Sequence, residues 1–125
     1  ALRATDAEVQ IILSACGDLE ACVGKPLGAM SEMDLIFHQA IIRASHNDVW
    51  MHLGTLIVAL MKIQVVATSW DQKALERGLK QHRALAEAIA QRDAVKAMQI
   101  SHELVLAPYN FLANSNGIAT ELRLQ

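Results

Sequence analysis

Apolar residues recur every three or four positions along most of the chain, which is the spacing that one face of an α-helix requires. No stretch keeps up the alternation of apolar and polar positions that is typical of a strand. The pattern predicts five helices joined by short loops, and hence an all-α, antiparallel helical bundle. We expect this bundle to occupy residues 1–114 and residues 115–125 to form a flexible C-terminal tail, because Asn, Ser and Gly interrupt the pattern there.

Capping residues indicate where the first two helices begin. Thr5–Glu8 has the form of a capping box, which predicts a first helix running to about Val23. Glycine and proline in the segment 24–28 predict a loop. Ser31–Asp34 has the form of a second capping box, so we expect the second helix to begin there.

The remaining three helices are indicated in the same way. Asn47 or Asp48 is predicted to cap a third helix, whose middle is apolar nearly all round, as in a helix at the centre of a bundle or in a subunit interface. Residues 68–71 predict the start of a fourth helix, and Asp93 is predicted to cap a fifth. Pro108 should kink or end the fifth helix.

Composition and charge restrict the classes of protein to which the chain can belong. Of its 125 residues, 53% are hydrophobic and 19% charged, which suffices for one domain with a sizeable core. The net charge is −2 and no basic cluster is present, so this segment alone should bind nucleic acid poorly. Its most apolar stretch, residues 53–67, contains Lys62 and Gln64 and is shorter than the roughly 20 residues of a membrane span. With no signal peptide and with Cys16 and Cys22 expected as reduced thiols, we predict a cytoplasmic protein.

Asp34 and His38 are the sharpest chemical feature of the sequence. A spacing of four places both side chains on one helix face, one turn apart, at the edge of the apolar stripe. A carboxylate and an imidazole so placed are able to hold a divalent cation together. The alternative is a simple Asp–His ion pair with a structural role.

His82 bears on that choice, because it occupies a position in the apolar face of the fourth helix. That face comprises Leu75, Leu79, His82, Ala86 and Ile89. An unpartnered buried polar group costs roughly 1–3 kcal/mol, so His82 needs a partner. A backbone carbonyl or a carboxylate would serve, but a position opposite the Asp34–His38 pair would make a three-ligand site. His46 and His52 are expected at the surface or in helix caps, and Lys62 either extends to solvent or faces an anionic ligand.

Two motifs resemble the FCD domain, the C-terminal domain of FadR-type GntR transcription regulators. The first is Asp34-x-x-x-His38 with Phe37 before the histidine, followed by Ile41-Ile42-x-Ala44-Ser45-x-Asn47. The second is His82-Arg83-Ala84-Leu85-x-x-Ala88-Ile89-x-x-x-Asp93-x-x-x-Ala97. The similarity extends in order and spacing from Ala1 to Leu106.

The resemblance implies a bundle that forms a homodimer and holds a small organic acid in a central cavity, in many members beside Zn²⁺ or Ni²⁺. Asp34, His38 and His82 match the first three metal ligands of the family. Leu104 stands where the fourth ligand, a histidine, is usual. His102 is two positions earlier, about 200° around the helix, so it is a doubtful ligand and we expect three protein ligands.

The resemblance also implies that the chain is the effector-sensing half of a bacterial regulator, which would bind DNA only through an N-terminal winged-helix domain absent from this chain. The sequence Ala-Ser-His-Asn-Asp at residues 44–48, with leucine and not histidine at position 104, resembles the branch of the family that senses sugar acids such as galactonate. By position, the candidate effector-binding residues are Asn47, Lys62, Gln64 and Asn110.

Two other functions stay open. An Asp–His–His site with open coordination positions also resembles the facial triad of iron oxygenases, although no separate general base is evident. Because Leu104 replaces a ligand, the chain could instead be a dimerisation bundle with a vestigial pocket. The family resemblance favours a regulator that is not an enzyme, does not contact membranes and senses a small molecule.

Overall fold

The computed structural model describes residues 1–54, 56, 72–106 and 110, and these form helices and short connections without a strand. The helices are α1 (Asp6–Glu20), α2 (Leu27–Ala44), α3 (residues 48–54), α4 (Gln72–Ala90) and α5 (residues 94–106). The prediction of an all-α protein is confirmed. The predicted start of the fourth helix at 68–71, the kink at Pro108 and the tail lie outside the described residues.

The capping box predicted at the start of α1 is present. The Glu8 backbone N–H donates to Thr5 Oγ1 (3.2 Å), and the Thr5 backbone N–H donates to Glu8 Oε2 (2.8 Å). These reciprocal bonds satisfy backbone donors that the first helical turn leaves free. The helix ends at Glu20, three residues before the predicted Val23. Gly24, whose φ is +80°, follows in a left-handed conformation that favours glycine.

The second capping box is wrong, because α2 begins at Leu27 and Ser31 lies inside the helix. Pro26 precedes the first turn and makes no side-chain cap. Its restricted φ suits a helix start, and it has no backbone N–H of its own to satisfy. The additional turn is stabilised by packing, since Met30 is buried in a small cluster with Leu19 and Cys22.

The starts of α3 and α5 follow the sequence. The Asn47 side chain accepts a hydrogen bond from the Val49 backbone N–H (3.0 Å), so Asn47 rather than Asp48 caps α3. Asp93 caps α5 by accepting from the Lys96 backbone N–H (2.9 Å). The first turns of α3 are exposed at Val49, Trp50, Met51 and Leu53, so this end of the helix does not lie at the centre of the bundle.

The core lies where α1 packs against both α2 and α4. Its fully enclosed side chains include Ile12 and Cys16 of α1, Phe37 of α2 and Ala86 of α4. The two cysteines are free and buried, and burial raises the pKa of the Cys16 thiol. No helix in the described ranges is long and apolar enough to cross a membrane. Phe37 also contacts two histidine rings, that of His38 beside it in sequence and that of His82 on α4.

Candidate metal centre

The structure brings together the three residues that the sequence singled out. His82 Nε2 lies 2.9 Å from Asp34 Oδ1, and His38 Nε2 lies 3.7 Å from the same oxygen. The two imidazole Nε2 atoms are 3.0 Å apart. One ligand atom from each residue thus falls within 4.8 Å of the other two, and no other group of this kind occurs among the described residues. Helix α2 contributes an acid and an imidazole one turn apart, and α4 contributes the second imidazole.

Burial makes this cluster unusual for so polar a set of side chains. Asp34 is 8% exposed, and among the described residues it is the only polar or charged one that is buried. The His38 and His82 side chains are 21% and 12% exposed. Phe37, with no exposed surface, meets both imidazole rings edge to face, at centroid distances of 5.3 Å and 5.2 Å. The Phe37 ring therefore restricts the rotation of both imidazole rings.

A backbone carbonyl sets the orientation of His82. Its Nδ1 lies 2.6 Å from the carbonyl oxygen of Gly78, one turn earlier in α4, and therefore carries the proton and donates it. In the neutral ring, Nε2 then presents a lone pair towards Asp34 and His38. Histidine ligands of metals are held in this way, with the second ring nitrogen donating to a carbonyl or carboxylate.

The resulting donor set fits a divalent cation. The Asp34 carboxylate is an acceptor, the Nε2 atom of His82 is one whenever it carries no proton, and His38 directs its own Nε2 at the same point. Acceptor atoms this close repel one another unless a proton or a cation lies between them. One carboxylate oxygen with two imidazole nitrogens suits Zn²⁺ or Ni²⁺ better than Mg²⁺ or Ca²⁺, which prefer oxygen ligands alone.

The protonation state of His38 also suits coordination. Burial lowers the pKa of His38 to about 4, although the nearby Asp34 carboxylate acts in the opposite direction and His82 lowers it further. The ring is therefore neutral at pH 7. Metal ligation requires the neutral imidazole, so binding at His38 displaces no proton at that pH.

The other histidines do not join this group. His102 is exposed on α5, whereas Leu104 is partly buried and packs on the core, as their register in the sequence indicated. His46 Nε2 lies 3.0 Å from Glu8 Oε2, and His52 Nδ1 lies 2.6 Å from the Asp48 carbonyl oxygen. Neither belongs to the group that contains Asp34.

The structure describes two of the four candidate effector-binding residues, Asn47 and Asn110. The side chain of Asn47 is partly buried and engaged in capping α3. Asn110 is exposed, and Lys62 and Gln64 lie outside the described residues. Sequence reasoning did not identify Gly78 or the role of Phe37. The spacing of Gly78 four residues before His82 was the available signal, because it places a carbonyl within reach of the imidazole.

Comparison of the sequence with known proteins places the chain in a family. The sequence model of the FCD domain matches residues 1–107. A galactonate operon transcriptional repressor of Escherichia coli (strain K12) is 29% identical over 105 residues, which are 82% of this chain and 45% of the repressor. The chain thus spans about half the length of that relative. No solved structure gives a significant match. The extent of the domain match confirms the resemblance seen in the sequence, and the chain belongs to the FCD-domain family.

Proposed function

We propose that this chain is the effector-sensing domain of a bacterial transcription regulator, and that it binds a small carboxylate beside a divalent cation held by Asp34, His38 and His82. The observation that carries the proposal is the convergence of three ligand atoms from two helices within 4.8 Å in a largely buried position. Family membership and the repressor relative support a regulator and not an enzyme. The name of that relative makes galactonate, or a similar sugar acid, the first effector to test.

Three protein ligands leave coordination positions open, because Zn²⁺ and Ni²⁺ accept four or more ligands. When bound, the cation would supply a positive charge to which the carboxylate of an effector is attracted. The chain's own residues hold the position of that charge. Asp34 compensates it, the Gly78 carbonyl fixes the tautomer of His82, and Phe37 supports both imidazoles.

A sensing role follows from where the ligands are attached. Asp34 and His38 belong to α2 and His82 belongs to α4, so a cation joins two helices that are distant in sequence. A ligand shifts a conformational equilibrium by as much as its affinity for the two states differs. In a homodimeric regulator with a DNA-binding domain outside this chain, joining α2 to α4 would favour one arrangement of the dimer. By linkage, DNA would change the affinity for effector by the same factor.

Calorimetry tests the proposal directly. We expect the wild-type chain to bind one Ni²⁺ or Zn²⁺, and we expect Asp34→Asn to weaken that binding at least about tenfold, since a charged ligand is lost while shape is kept. Asp18→Asn removes an exposed carboxylate from α1 and is the matched control, with affinity unchanged. Galactonate should bind the metal-loaded wild type more tightly than the metal-free chain. Equal Ni²⁺ affinity in wild type and Asp34→Asn would refute the assigned ligands.

A further inference from the structure

Two residues other than glycine have a left-handed backbone conformation in the part of the chain that the structure describes. They are His46, with φ of +48°, and Arg92, with φ of +59°. Each lies two residues beyond the end of a helix, His46 after α2 and Arg92 after α4. Glycine is the usual residue at this place, because a Cβ atom strains the left-handed conformation. Side chains kept at such positions deserve an explanation from their contacts.

His46 holds the start of the chain from one side. Its Nε2 lies 3.0 Å from Glu8 Oε2, the same oxygen that accepts from the Thr5 backbone N–H and the Thr5 hydroxyl. Its backbone carbonyl accepts a hydrogen bond from the Arg3 guanidinium (3.3 Å). The turn that follows α2 is thus bonded both to the N-terminal segment, residues 1–5, and to the first turn of α1.

Arg92 holds the same segment from the other side. Its guanidinium donates to the backbone carbonyls of Ala1 (3.2 Å) and Ala4, and to the Asp6 carboxylate (2.6 Å). Backbone carbonyls outside a helix or sheet need hydrogen-bond donors, and the Arg92 side chain is the donor for both of these carbonyls. A glycine at position 92 would relieve the backbone but could make none of these bonds.

The helices that end in these two turns are the helices that carry the candidate metal ligands. We propose that His46 and Arg92 form a latch, through which a cation held between α2 and α4 fixes the N-terminal segment against the bundle. The inference rests on the proposed function. A cation restricts the relative movement of α2 and α4, and the segment is held only while the turns after both helices keep their places. In a chain with a DNA-binding domain before residue 1, the segment would be the covalent connection to it.

Trypsin cleavage after Arg3 measures release of the segment, because the Arg3 guanidinium that trypsin must bind is the group that donates to His46. The rate of appearance of the product that starts at Ala4 is followed by mass spectrometry, with and without saturating NiCl₂. We expect Ni²⁺ to slow this cleavage in the wild type about fivefold or more, the lower end of typical coupling between sites.

The double variant His46→Gly/Arg92→Gly removes every side-chain bond of the latch while making both turns easier to form, and it leaves only the exposed bond from Arg3 to the backbone carbonyl of residue 46 (3.3 Å). Its cleavage after Arg3 should be insensitive to Ni²⁺. Because linkage is reciprocal, its Ni²⁺ affinity should be weaker than the wild type's by about the factor by which Ni²⁺ protects the wild type. Arg83→Gln is the matched control, since it removes a two-bond ion pair between α4 and Glu20, at the far end of α1. It should keep the protection.

The outcomes separate the latch from the sensing function. Wild-type chain that binds Ni²⁺ without protection of Arg3 overturns the latch alone, as does protection that persists in the double variant. Wild-type chain that binds no Ni²⁺ overturns the metal-dependent function, and the latch falls with it. Protection that is lost in Asp34→Asn and in the double variant, but kept in Arg83→Gln, supports both.

Discussion

Three hydrogen bonds in the N-terminal region converge on the carboxylate of Glu8. One of its oxygens accepts from the Thr5 backbone N–H, the Thr5 hydroxyl and His46 Nε2. The bond from the Thr5 backbone, followed by the bond from His46, lowers the pKa of Glu8 from 4.5 to about 2. A lowered carboxyl pKa means that the folded state prefers the charged form. The stability contribution of Glu8 is therefore complete above pH 4.5 and is lost as the pH falls towards 2.

The corresponding prediction concerns Glu8→Gln. Its melting temperature should be lower than that of the wild type at pH 6–7, and the difference should shrink steadily between pH 4.5 and pH 2. Thermal unfolding followed by circular dichroism measures both quantities, with Glu103→Gln on α5 as the control for loss of one surface charge. A difference that stays constant down to pH 2 would show that Glu8 acts through its shape and not through its charge.

Leu104 and His102 allow a second test at the same scale. Leu104 is partly buried and packs on the core that contains Phe37, whereas His102 is exposed. Because the resemblance described above implies a histidine ligand at the position of Leu104, Leu104→His should add a fourth ligand and tighten Ni²⁺ binding about tenfold or more. His102→Ala should leave the affinity unchanged. Weaker binding in His102→Ala, measured by calorimetry, would show that the register of α5 differs from this description.

At the scale of the helix, one substitution should have opposite effects at two glycines. Gly17 lies inside α1, and a Cβ atom added there meets no described atom within 4 Å. Gly17→Ala should stabilise the fold by about 1 kcal/mol, the difference in helix propensity. Gly24 has equal space around it but a φ of +80°, so Gly24→Ala should destabilise by about 1–2 kcal/mol. Urea unfolding of the two variants gives both values, and an equal sign for the two would contradict the turn assigned to residue 24.

The same scale shows what sequence patterns were able to predict. The starts of α1, α3 and α5 were predictable, because Thr5, Asn47 and Asp93 each bond to a backbone N–H within three residues. Capping is a local interaction and leaves a local signature. The start of α2 was not predictable in this way. Its extra turn depends on burial of Met30 against α1, a contact that no local pattern reports.

For the candidate site, periodicity was sufficient for one step and insufficient for the next. It placed Asp34 and His38 at the edge of one apolar face and His82 within another, and the structure brings the three together. It could not supply the tautomer of His82, which depends on the Gly78 carbonyl, nor the edge contacts of Phe37. Periodicity also could not predict the latch, because the partners of Arg92 are Ala1 and Asp6, which precede it in the chain by 91 and 86 positions. Such contacts follow from the tertiary arrangement and not from spacing.

At the scale of the whole molecule, the candidate metal ligands are far apart in sequence and meet only in the folded bundle. His82 follows His38 by 44 residues, so the site exists only when α2 and α4 are packed together with α1. A cation that binds this site binds the folded state, and stabilises it by mass action. Free Ni²⁺ at a hundred times its dissociation constant should add about 2.7 kcal/mol to the free energy of unfolding. For a domain of this size, that raises the melting temperature by roughly 10 °C.

This rise is the most general test of the site, because it needs no knowledge of the effector. Ions bound by the thiols and imidazoles of the unfolded chain reduce it, so roughly 10 °C is an upper value. Mg²⁺, which prefers oxygen ligands, should give little rise at the same concentration, and EDTA should reverse the effect of Ni²⁺. In Asp34→Asn the rise should largely disappear. If Ni²⁺ raised the melting temperature of Asp34→Asn as much as that of the wild type, Asp34 would not be a ligand of the stabilising ion, and the three-residue site between α2 and α4 would be refuted.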